Sequence, residues 1–316
     1  MLNKIKIFFL IIFFANTVFA QTESFVTLRT ANGIIYGTMQ VPENKTVMPL
    51  AILVSDCKTD NSFDEQLQNQ ALKSLADSLT NRGIATLRYD KRGVGKSLAA
   101  GKSVTALSVA NHVADLDAWI NRFASNSKFT QIILVGHGEG ALIAMICAAE
   151  NKNVNKYVSL EGAALPRSEV LRAQMQMQFE YQPQLIDIAN RYIETLSKGE
   201  IIDEIVPQKL YQYFPPNMYR YFISWFKYNP QEEIAKLTIP VLLIQGTTDA
   251  QISSLNANLL AQANPNSRKI LIENMNHVFR TCGSTHQLSQ YAANCKPDAP
   301  IKSELCSAVA NFIFGK

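Results

Sequence analysis

An aspartate and a histidine, which together can move a proton, follow two late apolar segments of the chain. Asp249 comes after the run 241–245, and His277 comes after the run 269–273. Because the carboxyl ends of parallel strands meet at one edge of a sheet, we expect the two side chains to lie close together. A histidine with a pKa near neutrality serves as a general base. The pair therefore predicts proton-transfer chemistry at this edge.

A glycine-rich turn earlier in the chain is the third chemical element. The apolar run 132–135 breaks into Gly-His-Gly-Glu-Gly at 136–140, and an apolar helical segment follows. Small residues on both sides of such a strand–turn–helix elbow let the backbones pass closely. The turn displays the side chain at its centre, but the central residue here is Gly138, which has no side chain that could react.

The segments around these residues predict how they are positioned. Continuous apolar runs predict strands buried on both faces, and helical periodicity separates them. Two further strands, 24–29 and 34–41, are joined by Asn32-Gly33 and predict an antiparallel hairpin. This alternation predicts a doubly wound, mostly parallel sheet. The buried strands are expected at 50–55, 84–89, 132–135, 156–160 and 241–245.

The alternation stops between 162 and 237, where the chain is rich in Tyr, Phe, Met and Trp at helical spacing. We expect a helical insertion there, within a core made of 21–161 and 238–316. Aromatic and Met-rich surfaces suit apolar ligands, but the same residues also suit the core of a small helical subdomain. A small apolar or ester-like ligand in a cavity beneath the insertion is the partner that this composition favours.

Together these motifs resemble the α/β-hydrolase superfamily, in particular its bacterial serine esterase and peptidase-like branch. The elbow carries the resemblance, as do the stretch Leu-Arg-Tyr-Asp-Lys-Arg-Gly-Val-Gly-Lys-Ser at 87–97 and the acid and histidine after the last two strands. The order of nucleophile position, acid and histidine is also that of this superfamily. The resemblance implies an α/β-hydrolase fold with a mostly parallel eight-stranded sheet and an inserted helical cap.

The resemblance also implies a role for each site residue. Gly138 stands where a serine nucleophile is expected, His277 would deprotonate that serine, and Asp249 would orient the histidine. The backbone N–H of Glu139 and one near Cys57 would form the oxyanion hole. The resemblance implies neither a cofactor nor a metal ion.

The chain departs from the family pattern at Gly138 and in the loop after the strand 50–55. Gly and Ser residues are usual in that loop, whereas this chain has Ser-Asp-Cys-Lys-Thr-Asp at 55–60. Loss of a triad nucleophile costs on the order of 10⁶ in turnover. A carboxylate from Asp56 beside the oxyanion hole would oppose what is left. We therefore expect an esterase-like protein that is inactive or weakly active on esters, and the double departure favours natural divergence over an engineered Gly138.

Several alternatives are compatible with these residues. The protein could bind or sense a small apolar ligand, Asp249 and His277 could activate water without a nucleophile, or the pair could be an inert remnant. Cys57, His137 and Glu139 are substitute nucleophiles, but the topology makes each of them less suitable.

Composition and charge exclude other classes of function. The 316 residues are 47% hydrophobic, and the 30 basic and 26 acidic residues are interspersed with a net charge of +4, which gives no reason to expect nucleic-acid binding. The Gly-Val-Gly-Lys-Ser run at 93–97 lacks the full spacing of a phosphate-binding loop, so we interpret it as structural.

The first 20 residues predict a cleaved secretory signal. Lys4 and Lys6 precede the apolar run 7–14, and Val18 and Ala20 are small residues before a cleavage site. The run is shorter than the ~20 residues that span a bilayer. We expect cleavage near Ala20, export to the periplasm or the medium, and no stable membrane insertion.

Export would permit disulfides among the five cysteines. Cys282 and Cys295 would close a polar loop, and we expect a bridge between them. Cys147 lies in an apolar helical run and is expected to pack as a small apolar residue.

Overall fold

The computed structural model describes residues 21–43, 45–56, 63–102, 107–294 and 299–316. Eight strands form one sheet in the order β1-β2-β4-β3-β5-β6-β7-β8. This is the α/β sheet that the alternation of segments predicts. The strands are β1 (Gln21–Thr30), β2 (Gly33–Pro42), β3 (Met48–Val54), β4 (Ala85–Tyr89), β5 (Phe129–His137), β6 (Val154–Leu160), β7 (Val241–Gly246) and β8 (Arg268–Ile272).

Six of the strands run parallel and two form an antiparallel edge. β1 pairs with β2 through the predicted hairpin, and β2 then pairs antiparallel with β4. From β4 to β8 every pairing is parallel. The carboxyl ends of β3, β5, β7 and β8 therefore lie at one edge of the sheet, where the candidate residues were expected.

Helices cover both faces of the sheet. The helices are α1 (Phe63–Thr80), α2 (Val109–Ala124), α3 (Glu139–Glu150), α4 (Arg167–Gln178), α5 (Pro183–Ser197), α6 (Gln208–Tyr211), α7 (Tyr219–Trp225), α8 (Pro230–Ala235), α9 (Leu255–Ala263), α10 (Gln287–Asn294) and α11 (Ser303–Phe314), with 3₁₀ helices at Gly95–Gly101 and Pro216–Met218.

Alternate residues of the central strands enter two separate cores. In β3, Leu50 and Ile52 pack with α2 and α3, whereas Ala51 and Leu53 pack with α1 and α11. Strand β5 divides in the same way, with Leu134 on the first face and Val135 on the second. Because side chains of a strand point alternately to its two faces, strands this apolar are stable only when both faces are covered.

Helices α4 to α8 lie between β6 and β7, in the predicted insertion 162–237. Many of its aromatic side chains, including Tyr192, Phe214 and Phe222, are buried in the first core. These side chains therefore pack in a core, which is one of the two roles that the composition suits. Tyr181 differs, because 88% of its surface is exposed.

The structure changes two details of the sequence interpretation. The polar segment expected to be a loop after Cys282 contains α10, and this helix has no buried residues that would have signalled it. The Gly-Lys-Ser run lies in the first 3₁₀ helix, where the carboxylate of Asp90 accepts the backbone N–H of Lys96 at 2.9 Å. This carboxylate contact agrees with the structural interpretation of the run.

Some expectations concern residues outside the described ranges. These are the signal at 1–20, Cys57 and Cys295. Cys282 is buried, and because its expected partner Cys295 lies outside the described residues, the Cys282–Cys295 bridge stays a prediction. Cys147 is buried, as expected. None of the helices in the described ranges is long and apolar enough to cross a membrane.

The two-sided burial of β5 leads to a stability prediction. Leu134→Ala removes a fully buried side chain from the central strand, so we expect the free energy of unfolding to fall by about 2–5 kcal/mol. Leu271→Ala is the matched control because Leu271 lies on the edge strand β8 and is 44% exposed, where a change of about 0.5 kcal/mol is typical. Urea denaturation measures both. Equal losses would contradict the position of Leu134 in the core.

Candidate active site

The sheet brings the predicted acid and histidine together. Asp249 follows β7 and His277 follows β8, and the ring Nδ1 lies 2.7 Å from Asp249 Oδ2. Backbone N–H groups of Gln251 and Ile252 donate to the other oxygen of Asp249 at 2.7 and 2.9 Å. The backbone of the following residues thus fixes the carboxylate, and the carboxylate fixes the orientation of the His277 ring.

The predicted elbow has the tight geometry of a strand-to-helix turn. Gly138 has φ +55° and ψ −119°, a conformation that side chains rarely adopt. A Cβ on Gly140 would overlap the carbonyl oxygen of Val54, so α3 packs directly against the end of β3. The elbow therefore presents the centre of the turn toward His277 and leaves Glu139 as the first residue of α3.

The carboxylate of Asp56 occupies the space in front of Gly138. A Cβ built on Gly138 would lie within 2.8 Å of all three carboxylate atoms of Asp56. Asp56 Oδ1 accepts the backbone N–H of Glu139 at 2.7 Å, and Oδ2 lies 3.4 Å from Nε2 of His277. The donor predicted to serve an oxyanion is therefore already paired with an anion of the protein itself.

The ring of His277 is consequently held between two carboxylates. Burial opposes its charge, but the negative charge and hydrogen bond of Asp249, with those of Asp56, raise the pKa of His277 well above its usual value. Burial likewise opposes the charge on Asp56, yet its hydrogen bond and attraction to His277 bring the pKa of Asp56 below the usual range. The site is thus a carboxylate–imidazolium–carboxylate arrangement.

His137 supports this arrangement from beneath. Its Nε2 lies 2.9 Å from the carbonyl oxygen of His277, and the two rings are 4.7 Å apart between centroids. Burial, together with the positive charge of His277, lowers the pKa of His137 to about 4. A neutral, fully buried ring that donates to a carbonyl is a poor nucleophile.

The side chain of Glu139 points away from the reaction centre and joins three elements. Its Oε2 pairs with Nζ of Lys91 at 2.7 Å, and its Oε1 accepts the hydroxyl of Tyr221 on α7. Lys91 and Glu139 are almost fully buried, so the pair is shielded from solvent. This cluster links the first turn of α3 to an inserted helix and fixes the orientation of the Glu139 backbone N–H.

A second buried acid, Glu161, lies behind Asp249 and was missed by the sequence analysis. It accepts the backbone N–H of Gly246 at 2.9 Å and the side-chain amide of Gln245, which also reaches Asp249 at 3.2 Å. Burial, followed by the negative charge of Asp249, raises the pKa of Glu161 well above its usual value. The only sequence signal was an acidic residue directly after a strand, β6.

The predicted site residues are thus gathered at one edge, apart from Cys57, which lies outside the described residues. Asp56 occupies the space in front of Gly138, which the alternative of activated water would need. A surface cavity of about 730 Å³ is lined by Ile205 and neighbouring inserted residues up to Gln212, and none of the site residues contributes to it.

The sheet order, the elbow and the acid–histidine pair define an α/β-hydrolase. A model of the family described as serine aminopeptidase, S33 matches residues 68–279. The match covers more than half of the chain, which therefore belongs to this family.

Known proteins agree with this assignment. Over 258 residues the chain is 26% identical to esterase EstD of Thermotoga maritima, a match covering 79% of this chain and 59% of that protein. The chain therefore spans about three fifths of the length of this curated relative.

Similar solved structures include Est1E from Butyrivibrio proteoclasticus, at 16% identity and a TM-score of 0.61, covering 92% of this chain and 98% of that one. Esterase Pf2001 from Pyrococcus furiosus has 18% identity and a TM-score of 0.60, covering 94% of this chain and 91% of that one. At these identities the likeness shows the fold alone.

The charges in the site predict how stability depends on pH. A raised pKa of His277 contributes stability that is complete below its unfolded value of about 6.5 and is lost as pH rises through the folded pKa. A lowered pKa of Asp56 contributes stability above about 3.9 that is lost in acid. We expect Asp56→Asn to reduce the loss of unfolding free energy between pH 6 and pH 9. Denaturant titrations at the two pH values measure this, and equal losses in wild type and variant would contradict the charged arrangement.

Proposed function

We propose that this protein is an exported, esterase-like α/β-hydrolase that has lost serine catalysis and binds a small ligand at the former reaction centre. One observation carries the proposal: the carboxylate of Asp56 stands in front of Gly138, within 2.8 Å of where a side chain would begin. Ester hydrolysis through an acyl-enzyme needs a nucleophilic side chain at that point and a free donor for the oxyanion. Here neither is provided.

The electrostatics argue against ester hydrolysis by any route in which the Glu139 N–H must stabilise an oxyanion. An anion at Asp56 already accepts the Glu139 N–H, and a developing second anion would be repelled by it. The negative charge of Asp56 lies where a serine enzyme needs positive potential. Weak or absent turnover of esters is the expected consequence.

The route through histidine-activated water is also disfavoured. A general base must be unprotonated, whereas the two carboxylates around His277 raise its pKa well above the usual value. Its Nε2 faces Asp56 at 3.4 Å, which is where the water would have to lie. The retained acid–histidine pair is better explained by its part in holding Asp56.

Ligand binding is favoured over an inert remnant by the way the site is built. Loss of catalysis alone does not require a buried donor pair, Glu139 N–H and His277, to stay aligned on one anion. The link from Glu139 to Tyr221 also couples this edge to the inserted helices, beneath which an apolar part of a ligand would lie. We assign the inserted helices the role of a cap on this basis.

Serine restoration tests the loss of catalysis. Gly138→Ser alone should remain inactive, because its Cβ would overlap the carboxylate of Asp56. Gly138→Ser combined with Asp56→Gly should gain hydrolysis of p-nitrophenyl acetate and labelling by a fluorophosphonate, since space, base and oxyanion donor are then all present. Adding His277→Ala to the double variant should abolish that gain and is the matched control.

Wild type must show neither labelling nor turnover above the rate of a His277→Ala variant. Labelling of the wild-type protein by the fluorophosphonate at any serine of this edge of the sheet would contradict the proposed loss of catalysis. Turnover in wild type that disappears in His277→Ala would instead support activated water.

Export is tested on the full-length chain expressed with its first 20 residues. The charged start, apolar run and small residues before Ala20 predict a mature chain that begins at Gln21. Amino-terminal sequencing of protein recovered from the periplasm and medium measures this. Ala20→Leu, which places a bulky residue before the cleavage site, should slow processing. An intact Met1 in protein retained inside the cell would contradict export.

A further inference from the structure

We infer that the Glu139 N–H and the His277 ring form a binding site for a small carboxylic acid in its ionised form, and that Asp56 fills this site with its own carboxylate. The inference rests on the proposed function, because it names the chemical class of the ligand. It adds that the protein carries a built-in competitor for that ligand.

The geometry is that of a carboxylate clamp. The two oxygens of Asp56 are bound by different elements, Oδ1 by the first N–H of α3 at 2.7 Å and Oδ2 by His277 Nε2 at 3.4 Å. The amino end of a helix favours an anion, and a protonated imidazole adds a full charge. Without an acceptor here, both buried donors would lose their hydrogen-bond partner.

The shape of the space selects the class of anion. Gly138 leaves room for a flat carboxylate group directly over the turn, and a planar group with two acceptor oxygens matches two donors on different elements. An ester or amide offers no negative charge to the imidazolium, so the clamp discriminates against neutral relatives of the same acid.

Asp56 is placed so that a ligand can replace it. Its side chain is 15% exposed, compared with 5% for His277, so it forms the solvent side of the site. Its contact with His277 is longer than the 2.7 Å contact that Asp249 makes with the same ring. A free carboxylate can therefore approach from the side where Asp56 lies and take over both donors.

Competition between the Asp56 carboxylate and the free ligand determines how much the affinity should differ between wild type and a variant without that carboxylate. When the binding-competent state is only a fraction of the population, the apparent dissociation constant is the intrinsic value divided by that fraction. Minor states of this kind commonly hold between about 0.1 and 10% of the molecules. Removal of the Asp56 carboxylate should therefore tighten binding by roughly 10- to 1,000-fold.

The test compares butyrate with butyramide, its neutral isostere, by calorimetry on the purified mature protein at pH 6 and constant ionic strength. We expect Asp56→Ala to bind butyrate at least about tenfold more tightly than wild type does, and to discriminate against butyramide. Asp90→Asn is the matched control, because that carboxylate accepts the backbone N–H of Lys96 in the first 3₁₀ helix. It should leave butyrate affinity at the wild-type value.

A second variant keeps the test decisive if Asp56→Ala folds poorly. Asp56→Ser keeps a polar side chain that is too short to fill the site, and NMR of the His277 ring should then show a butyrate-dependent shift at lower concentrations than in wild type. Equal butyrate affinity in wild type and in both Asp56 variants would overturn the inference, as would equal binding of butyramide. Ester turnover by wild type would instead contradict the proposed function and leave the affinity comparison standing.

Discussion

The carboxylate of Asp56 bridges the first amide of α3 and the ring of His277, and both contacts depend on Gly138 having no side chain. A buried anion is costly unless charges and donors surround it. Here the imidazolium of His277, the amino end of α3 and the Glu139 amide surround the Asp56 carboxylate. The imidazolium in turn exists because a second carboxylate, Asp249, supports it from the other side. Removal of any one member leaves a buried charge or donor without its partner.

This arrangement is held in place by polar groups that are themselves buried in pairs. Glu139 is fixed through Lys91 and the hydroxyl of Tyr221, which orients the amide that Asp56 uses. Behind the histidine, Glu161 joins the end of β6 to the last residue of β7 through the Gly246 N–H. Single buried ion pairs contribute little net stability, but breaking one is expensive. Their effect is to fix the direction of donors at the sheet edge.

The sequence predicted most of the fold because its strongest signals are local. Apolar runs identified the central strands, and the order of acid and histidine after β7 and β8 placed both at one edge. Helix α10 was missed because none of its residues is buried, so no apolar periodicity exists to indicate it.

The site itself was only partly predictable, since its contacts run through space. Asp56 was recognised as unfavourable beside an oxyanion hole, but its reach to His277 depends on how the ends of β3 and β8 are placed. Glu161 gave still less signal, since its pairing with Gly246 and Gln245 joins strands more than 80 residues apart.

Gly138 and Asp56 also constrain each other, which changes how the loss of the nucleophile is understood. A side chain at 138 would overlap the Asp56 carboxylate, so a serine and this aspartate cannot keep their present positions together. Conversely, without Asp56 the Glu139 N–H and the ring of His277 would lose their shared acceptor, which is costly for buried donors. Asp56 removes that cost by supplying an anion from the chain. The two departures from the family pattern therefore form one coupled change, in which a reaction centre is replaced by a bound carboxylate.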